Sequence, residues 1–226
     1  SASIIKCKGQ IPQRVACLIK PSSYKIDTYR VDICEKTPFP PFRSSADYAG
    51  AGCLTLFNGN GNLYRGDFAR NSNYKPPLTG RENLKSGTYK YLTIVLKNGF
   101  TSSGKYTSGE TTWRTAGRDK KGRPKLTTKQ GEPVEIKESL NNWRGNNNKD
   151  NDYCNNNGGT FSRCEMIYNG YKLTGIGLGP DFIENHDKNV AYMFYMVELA
   201  SPIKLTENLS GNINLTVQRN LEVYGY

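Results

Sequence analysis

The sequence predicts an all-β protein: a β-sandwich or barrel-like fold of about ten strands, carrying long loop insertions and stapled by disulfides. Three observations point there. Apolar residues recur with a period of two along much of the chain, whereas helical periodicity is scarce. The composition of 226 residues includes 15 tyrosines and 23 glycines, with asparagine abundant as well. Tyrosine suits strands, and glycine and asparagine suit the turns between them. Six cysteines fall in local pairs.

The first strand runs from Tyr24 to Cys34. Its alternation changes phase near Asp27 and Thr28, with Tyr24 and Ile26 in one phase and Tyr29, Val31 and Ile33 in the other. A β-bulge produces such a change. Cys53 to Phe57 is a short apolar strand ending in the turn-like run that Asn58 opens. Residues 58–87 read as a long insertion, interrupted by Pro76 and Pro77. Thr88 to Leu96 is the clearest strand, and Asn98-Gly99 predicts a turn after it. Thr111 to Ala116 and Lys125 to Thr128 form a hairpin about a basic turn, and Val134 to Glu138 is a further strand. A short helix is weighed at Glu138 to Trp143. The second insertion, 139–160, is rich in asparagine. Cys164 to Tyr168 and Tyr171 to Ile176 flank Asn169-Gly170, a strong hairpin signal. Val190 to Ala200 and Ile213 to Val223 are the last two strands. With no internal repeat and no linker, residues 1–226 read as a single β domain.

The cysteines are Cys7, Cys17, Cys34, Cys53, Cys154 and Cys164. Proximity suggests the bridges Cys7–Cys17, Cys34–Cys53 and Cys154–Cys164, although six cysteines allow many other pairings. Bridges of this kind persist in oxidising compartments. The alternatives are free thiols or a zinc site. No CxxC motif is present, and the lone His186 lies far from most of the cysteines. The chain begins at Ser1 rather than methionine, which fits removal of a secretory signal peptide. The expected location is therefore extracellular or at the cell surface. The longest apolar run, Val190 to Ala200, falls short of a membrane span and contains Glu198, so the chain is not expected to cross a membrane.

Parts of residues 16–57 and 86–100 resemble uncharacterised exported proteins of marine planktonic bacteria. The resemblance rests on Cys17, the run Ser23 to Cys34, the Pro-rich stretch leading to Cys53–Phe57, and Ser86 to Phe100. It implies export and an all-β fold, and it brings no catalytic residues.

Catalytic patterns are weak. A nucleophilic triad would need His186, which sits in a polar turn without evident partners. Paired carboxylates could hydrolyse glycans, but the twenty acids are scattered. Gly175 to Gly179 lacks the P-loop pattern and runs into Pro180, so it reads as strand and turn. Asn148 to Tyr153 offers oxygen donors suited to calcium, yet lacks the EF-hand glycine and closing glutamate. The expectation is a non-enzyme without cofactor or metal.

The net charge of +11 favours acidic partners. Its densest segment, Trp113 to Lys129, includes Arg118, Lys120, Lys121, Arg123 and Lys125. These residues read either as protection of a sheet edge or as contacts for an anionic glycan or cell surface. Nucleic acid is not the expected partner of an exported chain. Val190 to Ala200 is apolar on both faces, with Tyr192 and Phe194 on one of them, and needs cover on both. That cover comes either from one of the chain's own long insertions or from a neighbouring subunit or ligand. Residues 211–226 alternate, placing Ile213, Leu215, Val217, Leu221 and Val223 in one row. An amphipathic strand at a chain end can close its own sheet or add to a neighbour's edge. The favoured expectation is a secreted structural subunit of a filament or surface layer that self-associates, with strand exchange as the joint. The alternative is a monomeric module that binds extracellular polysaccharide or cell surface.

Overall fold

The computed structural model describes residues 6–9, 11, 16–40, 44–69, 85–139, 163–168, 170–185, 190–206 and 221–224. The described residues are all-β, with no helix among them. In chain order the strands are β1 (Ala16–Ile19), β2 (Pro21–Cys34), β3 (Cys53–Asn58), β4 (Tyr64–Asp67), β5 (Gly87–Ser108), β6 (Thr111–Arg118), β7 (Pro124–Thr127), β8 (Ile136–Glu138), β9 (Arg163–Tyr168), β10 (Tyr171–Leu178), β11 (Tyr192–Leu205) and β12 (Leu221–Tyr224). All twelve belong to one hydrogen-bonded network whose main path is β1-β12-β7-β6-β5-β11-β10-β9; β2 and β8 join it at β5, and β3 and β4 pair with β2.

The 22-residue β5 organises the network. Its first half pairs with β11 on one side and β2 on the other. Its middle pairs with β2 and β8, and its end turns back into β6. Asn98-Gly99 is therefore not a turn, contrary to the sequence expectation. The strand runs through it while the β11 ladder ends beside it. There the Asn98 backbone N–H donates to the Ala191 carbonyl at 2.8 Å, and its side-chain amide donates to the Val190 carbonyl at 2.7 Å. The asparagine thus replaces ladder bonds at a corner, and pairing with β2 carries the strand onward.

Other expectations meet the structure in physical detail. The phase change in β2 coincides with register shifts against β5 between Ile26 and Thr28 and between Thr28 and Arg30. The bulge puts Tyr29 with the cluster around Phe194, on a different face from Val31 and Ile33, with which simple alternation had grouped it. The 58–87 insertion contains β4, which pairs with β2. Gly59 makes the preceding turn, where a Cβ would lie 2.1 Å from the Asn62 carbonyl oxygen. The expected hairpins β6–β7 and β9–β10 are present, the second turning at Gly170 with φ 82°. β11 continues to Leu205 by way of a register shift between Glu198 and Ile203. Pro202 lies inside that shift, where its missing N–H removes no regular ladder bond. Residues 140–143 of the weighed helix and 140–160 of the second insertion lie outside the described residues.

Three apolar clusters hold the sheets. Ile11, Cys17, Ile19, Trp113 and Leu126 pack around β1, β6 and β7. Val31, Ile33, Leu54, Leu56, Phe57 and Tyr89 fill one face of the β2–β5–β11 region. Phe39, Val95, Ile176, Leu178 and Phe194 fill the other. Two disulfides are formed, Cys7–Cys17 and Cys34–Cys53. Cys154 and the side chain of Cys164 lie outside what is described. No helix among the described residues is long and apolar enough to cross a membrane.

Candidate functional site

Two places combine unusual geometry with groups able to act. The first is the C-terminal strand. β12 lies between β1 and β7, antiparallel to β1 with Ala16 opposite Tyr224, Cys17 opposite Val223, Leu18 opposite Glu222 and Ile19 opposite Leu221. On its other edge Tyr224 pairs with Lys125 of β7 in parallel. Parallel neighbours require a crossover, and here the strand returns from the far end of the chain. By contrast, β5, β6 and β7 follow one another as an antiparallel meander. Among the described residues β12 is the one strand that links β1 to that meander. Without it, the facing edges of β1 and β7 would both be open.

The second place is a cavity of about 250 Å³ over the β2–β5–β10 face, lined by Tyr29, Arg30, Ser45, Ala46, Tyr48, Val95, Leu178, Asp181 and Phe182. Two loops enclose it. Residues 35–52 leave β2 and return to β3, and Cys34–Cys53 ties their base where the two strands are in register. The loop folds through Asp47 N–H to Pro38 carbonyl at 2.7 Å, Lys36 N–H to Ala51 carbonyl at 3.0 Å and Cys53 N–H to Tyr48 carbonyl at 2.9 Å. Phe39 packs its ring 5.1 Å from that of Phe194. The second loop, 179–185, is tied to the first by the Glu184 N–H, which donates to the Ser44 carbonyl at 2.6 Å. A Cβ at Gly179 would lie 2.8 Å from Asp181 Oδ1, an oxygen that accepts the Ile183 N–H at 3.1 Å, so a side chain there would have to displace that carboxylate.

A buried ion pair forms one wall. Asp32 is 0% exposed. Arg30 Nε donates to its Oδ2 at 2.7 Å and Nη2 to its Oδ1 at 2.8 Å, while Nη2 also reaches Thr55 Oγ1 at 2.9 Å. The Thr55 hydroxyl in turn donates to Asp32 Oδ1 at 2.7 Å. The guanidinium lies over the Tyr48 ring, with Cζ 3.7 Å from its centroid, a cation–π contact. Burial opposes the charge of Arg30, but the hydrogen bonds to Asp32 and its negative charge outweigh burial and raise the pKa. The Tyr48 phenol is pushed up by burial first and by Asp32 second. Thr93, in register with Asp32, holds a buried hydroxyl without a partner among the described residues.

Aromatic rings form the other wall. Phe182 stacks on Tyr192 at 4.4 Å and lies 4.6 Å from Tyr29. Phe182 has φ 61°, a region that a bulky side chain enters only when its surroundings hold it there.

The sequence-derived residues fall as follows. Tyr192 backs the aromatic wall by stacking on Phe182, and Phe194 is fully buried in this chain's own core. Among the described residues, the cover on that face of β11 includes Phe39, Ala46, Tyr48 and Phe182 from the loops after β2 and β10; most of the two long insertions named from sequence lies outside the described residues. Leu221 and Val223 occupy β12, while Ile213, Leu215 and Val217 lie outside the described residues, as do His186 and the 148–153 segment. In the basic hairpin Lys120 and Lys121 are exposed. Arg118 pairs with Glu138 at 2.6 Å, and Arg123 with the nearly buried Asp119 at 2.8 Å. Lys125 sits in β7 beside β12. The five cations are thus divided between surface charge and internal pairing.

Sequence reasoning missed Arg30, Asp32, Tyr48 and Phe182. For the first two a signal existed. Asp32 is a carboxylate between Val31 and Ile33 in a strand, and Arg30 two residues earlier shares its face. Comparison with known proteins finds no matching family model, no similar curated protein and no similar solved structure.

Proposed function

We propose that the protein is an exported structural subunit of an extracellular filament or surface layer, joined head to tail by exchange of its C-terminal strand. The observation that carries this reading is the seat of β12 between β1 and β7. A strand that is parallel to one neighbour and joins two otherwise separate edges can be supplied by a second copy in the same register. Withdrawing it leaves the β5–β6–β7 meander paired as before, and the donor strand carries its own hydrogen-bonding edges with it. A head-to-tail joint whose rotation does not close into a ring generates a polymer. The chain between Leu205 and Leu221 can extend at most about 50–60 Å, enough to reach an adjacent domain. The two disulfides fit an oxidising compartment.

Leu18 and Glu222 are opposite one another in register, so L18C/E222C reports which chain supplies the strand. Oxidised polymer should give a ladder of cross-linked chains on a non-reducing denaturing gel. A chain lacking 211–226 should not polymerise, and a peptide of that segment should cap its open β1 and β7 edges without joining subunits. Cross-links confined to single chains in an assembled sample, or ordered polymers from the truncated chain alone, would overturn the reading.

A further inference from the structure

We propose that the cavity between the 35–52 and 179–185 loops binds one uncharged pyranose ring of a glycan. The inference goes beyond the assembly reading, since none of the lining residues belongs to β1, β7 or β12. The cavity, at about 250 Å³, lies just below the range typical of drug-sized ligands and suits a single ring. Val95 and Leu178, each 2% exposed, give it an apolar floor against which the C–H face of a sugar can lie. The polar groups around that floor are those a polyhydroxylated ring needs. Ser45 can donate or accept, and the exposed Asp181 accepts. Arg30 has its Nε and Nη2 engaged by Asp32 and Thr55, and its Nη1 makes no hydrogen bond among the described residues.

Charge selects the class of sugar. The positive charge of Arg30 is cancelled by the buried Asp32, which leaves Asp181 as the one lining charge without an ion-pair partner among the described residues. A uronate or sulfated ring would bring a second negative group beside it, whereas a hydroxyl donates to it. The site therefore differs in kind from the basic β6–β7 hairpin. It is also set before any ligand arrives. The ion pair fixes the guanidinium on Tyr48, the Cys34–Cys53 bridge fixes the loop that bears Tyr48 and Ser45, and the bond from Phe182 N–H to the Gly179 carbonyl at 3.1 Å helps hold Phe182 at its positive φ. Fixed walls lower the ordering cost that otherwise erodes small-ligand affinity.

Saturation-transfer NMR on the full chain tests this, with glucose, galactose, mannose, N-acetylglucosamine and glucuronate as probes. At least one uncharged sugar should show saturable millimolar binding, and glucuronate should bind more weakly. D181N preserves an oxygen for the Ile183 N–H but removes the charged acceptor, and should weaken binding at least fivefold with melting unchanged. A46L should fill the cavity and abolish transfer. The proposal fails if no uncharged sugar shows transfer, if glucuronate binds most tightly, or if folded D181N binds as wild type does. Loss of sugar binding in chains that still form cross-linked ladders would refute this site alone and leave the assembly reading standing.

Discussion

Replacing Arg30 with methionine keeps an apolar stem against Tyr48 but removes the counter-ion of Asp32. In the wild type that carboxylate receives two bonds from Nε, one from Nη2 and one from the Thr55 hydroxyl. In R30M only the threonine bond of that set is left. The Asp32 side chain is 1% exposed and that of Arg30 21%, so the carboxylate has little access to water while the guanidinium retains some. Breaking a buried pair costs about 3–5 kcal/mol, because an uncompensated charge stays behind. The partial exposure of Arg30 places R30M near the lower end, about 3 kcal/mol. For a chain of this length that corresponds to a melting shift of about 6–12 °C. D32N should cost less, about 1–2 kcal/mol, because the stranded guanidinium can still reach solvent. The double variant R30M/D32N should be less destabilised than the sum of the singles by at least about 1.5 kcal/mol, since neither charge is then left alone. Urea unfolding at neutral pH with a common slope measures all four corners. A cost for R30M below about 1 kcal/mol, or strict additivity, would refute the account of the pair as a structural clamp.

Three further outcomes follow from the same geometry. C34A/C53A opens a bridge with a sequence separation of 19 and should cost about 3 kcal/mol by chain entropy, with faster amide exchange across residues 35–52 than in wild type; equal exchange would show that the loop holds itself. Reversing Lys120 and Lys121 should leave melting within about 1 °C, as surface changes usually do, whereas R123E places a like charge against Asp119 and should cost about 1–3 kcal/mol; equal effects would place Arg123 with the free surface charges. Burial pushes the Tyr195 phenol up to about 12 and also raises Tyr89. The Tyr195 phenol stays neutral in the folded chain at a pH where unfolded tyrosine ionises near 10. Stability is therefore intact below pH 10 and falls as pH rises toward 12, by at most about 2–3 kcal/mol from Tyr195. Y195F should flatten that decline in urea midpoints measured at pH 9 and 11, and an unchanged decline would assign it elsewhere.

The strands were legible because their signals are local. β2, β3, β6, β7, β9 and β10 announce themselves through alternation and through turn residues that any partner strand would accept. Even the β2 bulge left a mark, as the lost phase at Asp27 and Thr28. What stayed hidden depends on partners distant in sequence. Asn98-Gly99 has the composition of a turn, but the carbonyls of Val190 and Ala191 accept its donors, and β2 continues the ladder. β4 is only four residues long, and its ladder partner β2 lies far earlier in the chain. The cavity was the least legible feature. Its walls come from β2, from a disulfide-closed loop and from a second loop after β10, and no alternation rule brings Tyr48 onto Arg30 or Phe182 onto Tyr29.

The same contrast separates the two proposed activities. The proposed assembly joint would use backbone groups in register, so almost any alternating segment could serve, and side-chain chemistry along residues 211–226 would set only fit. That is why a plain alternation in the sequence was enough to nominate it. The cavity works the other way, since its backbone is ordinary except at Phe182 and its specificity rests on a few side chains. A polymer built by exchange of β12 would repeat that cavity once per subunit, because its lining is untouched by the exchange. Weak binding of a single sugar ring would then be multiplied along the filament, as linked sites of low affinity gain through effective concentration. Multivalent glycan polymer should accordingly be retained by assembled protein far more strongly than by the chain lacking 211–226, while free monosaccharide should bind both alike. Equal retention of the glycan polymer by both forms would break the link between assembly and recognition.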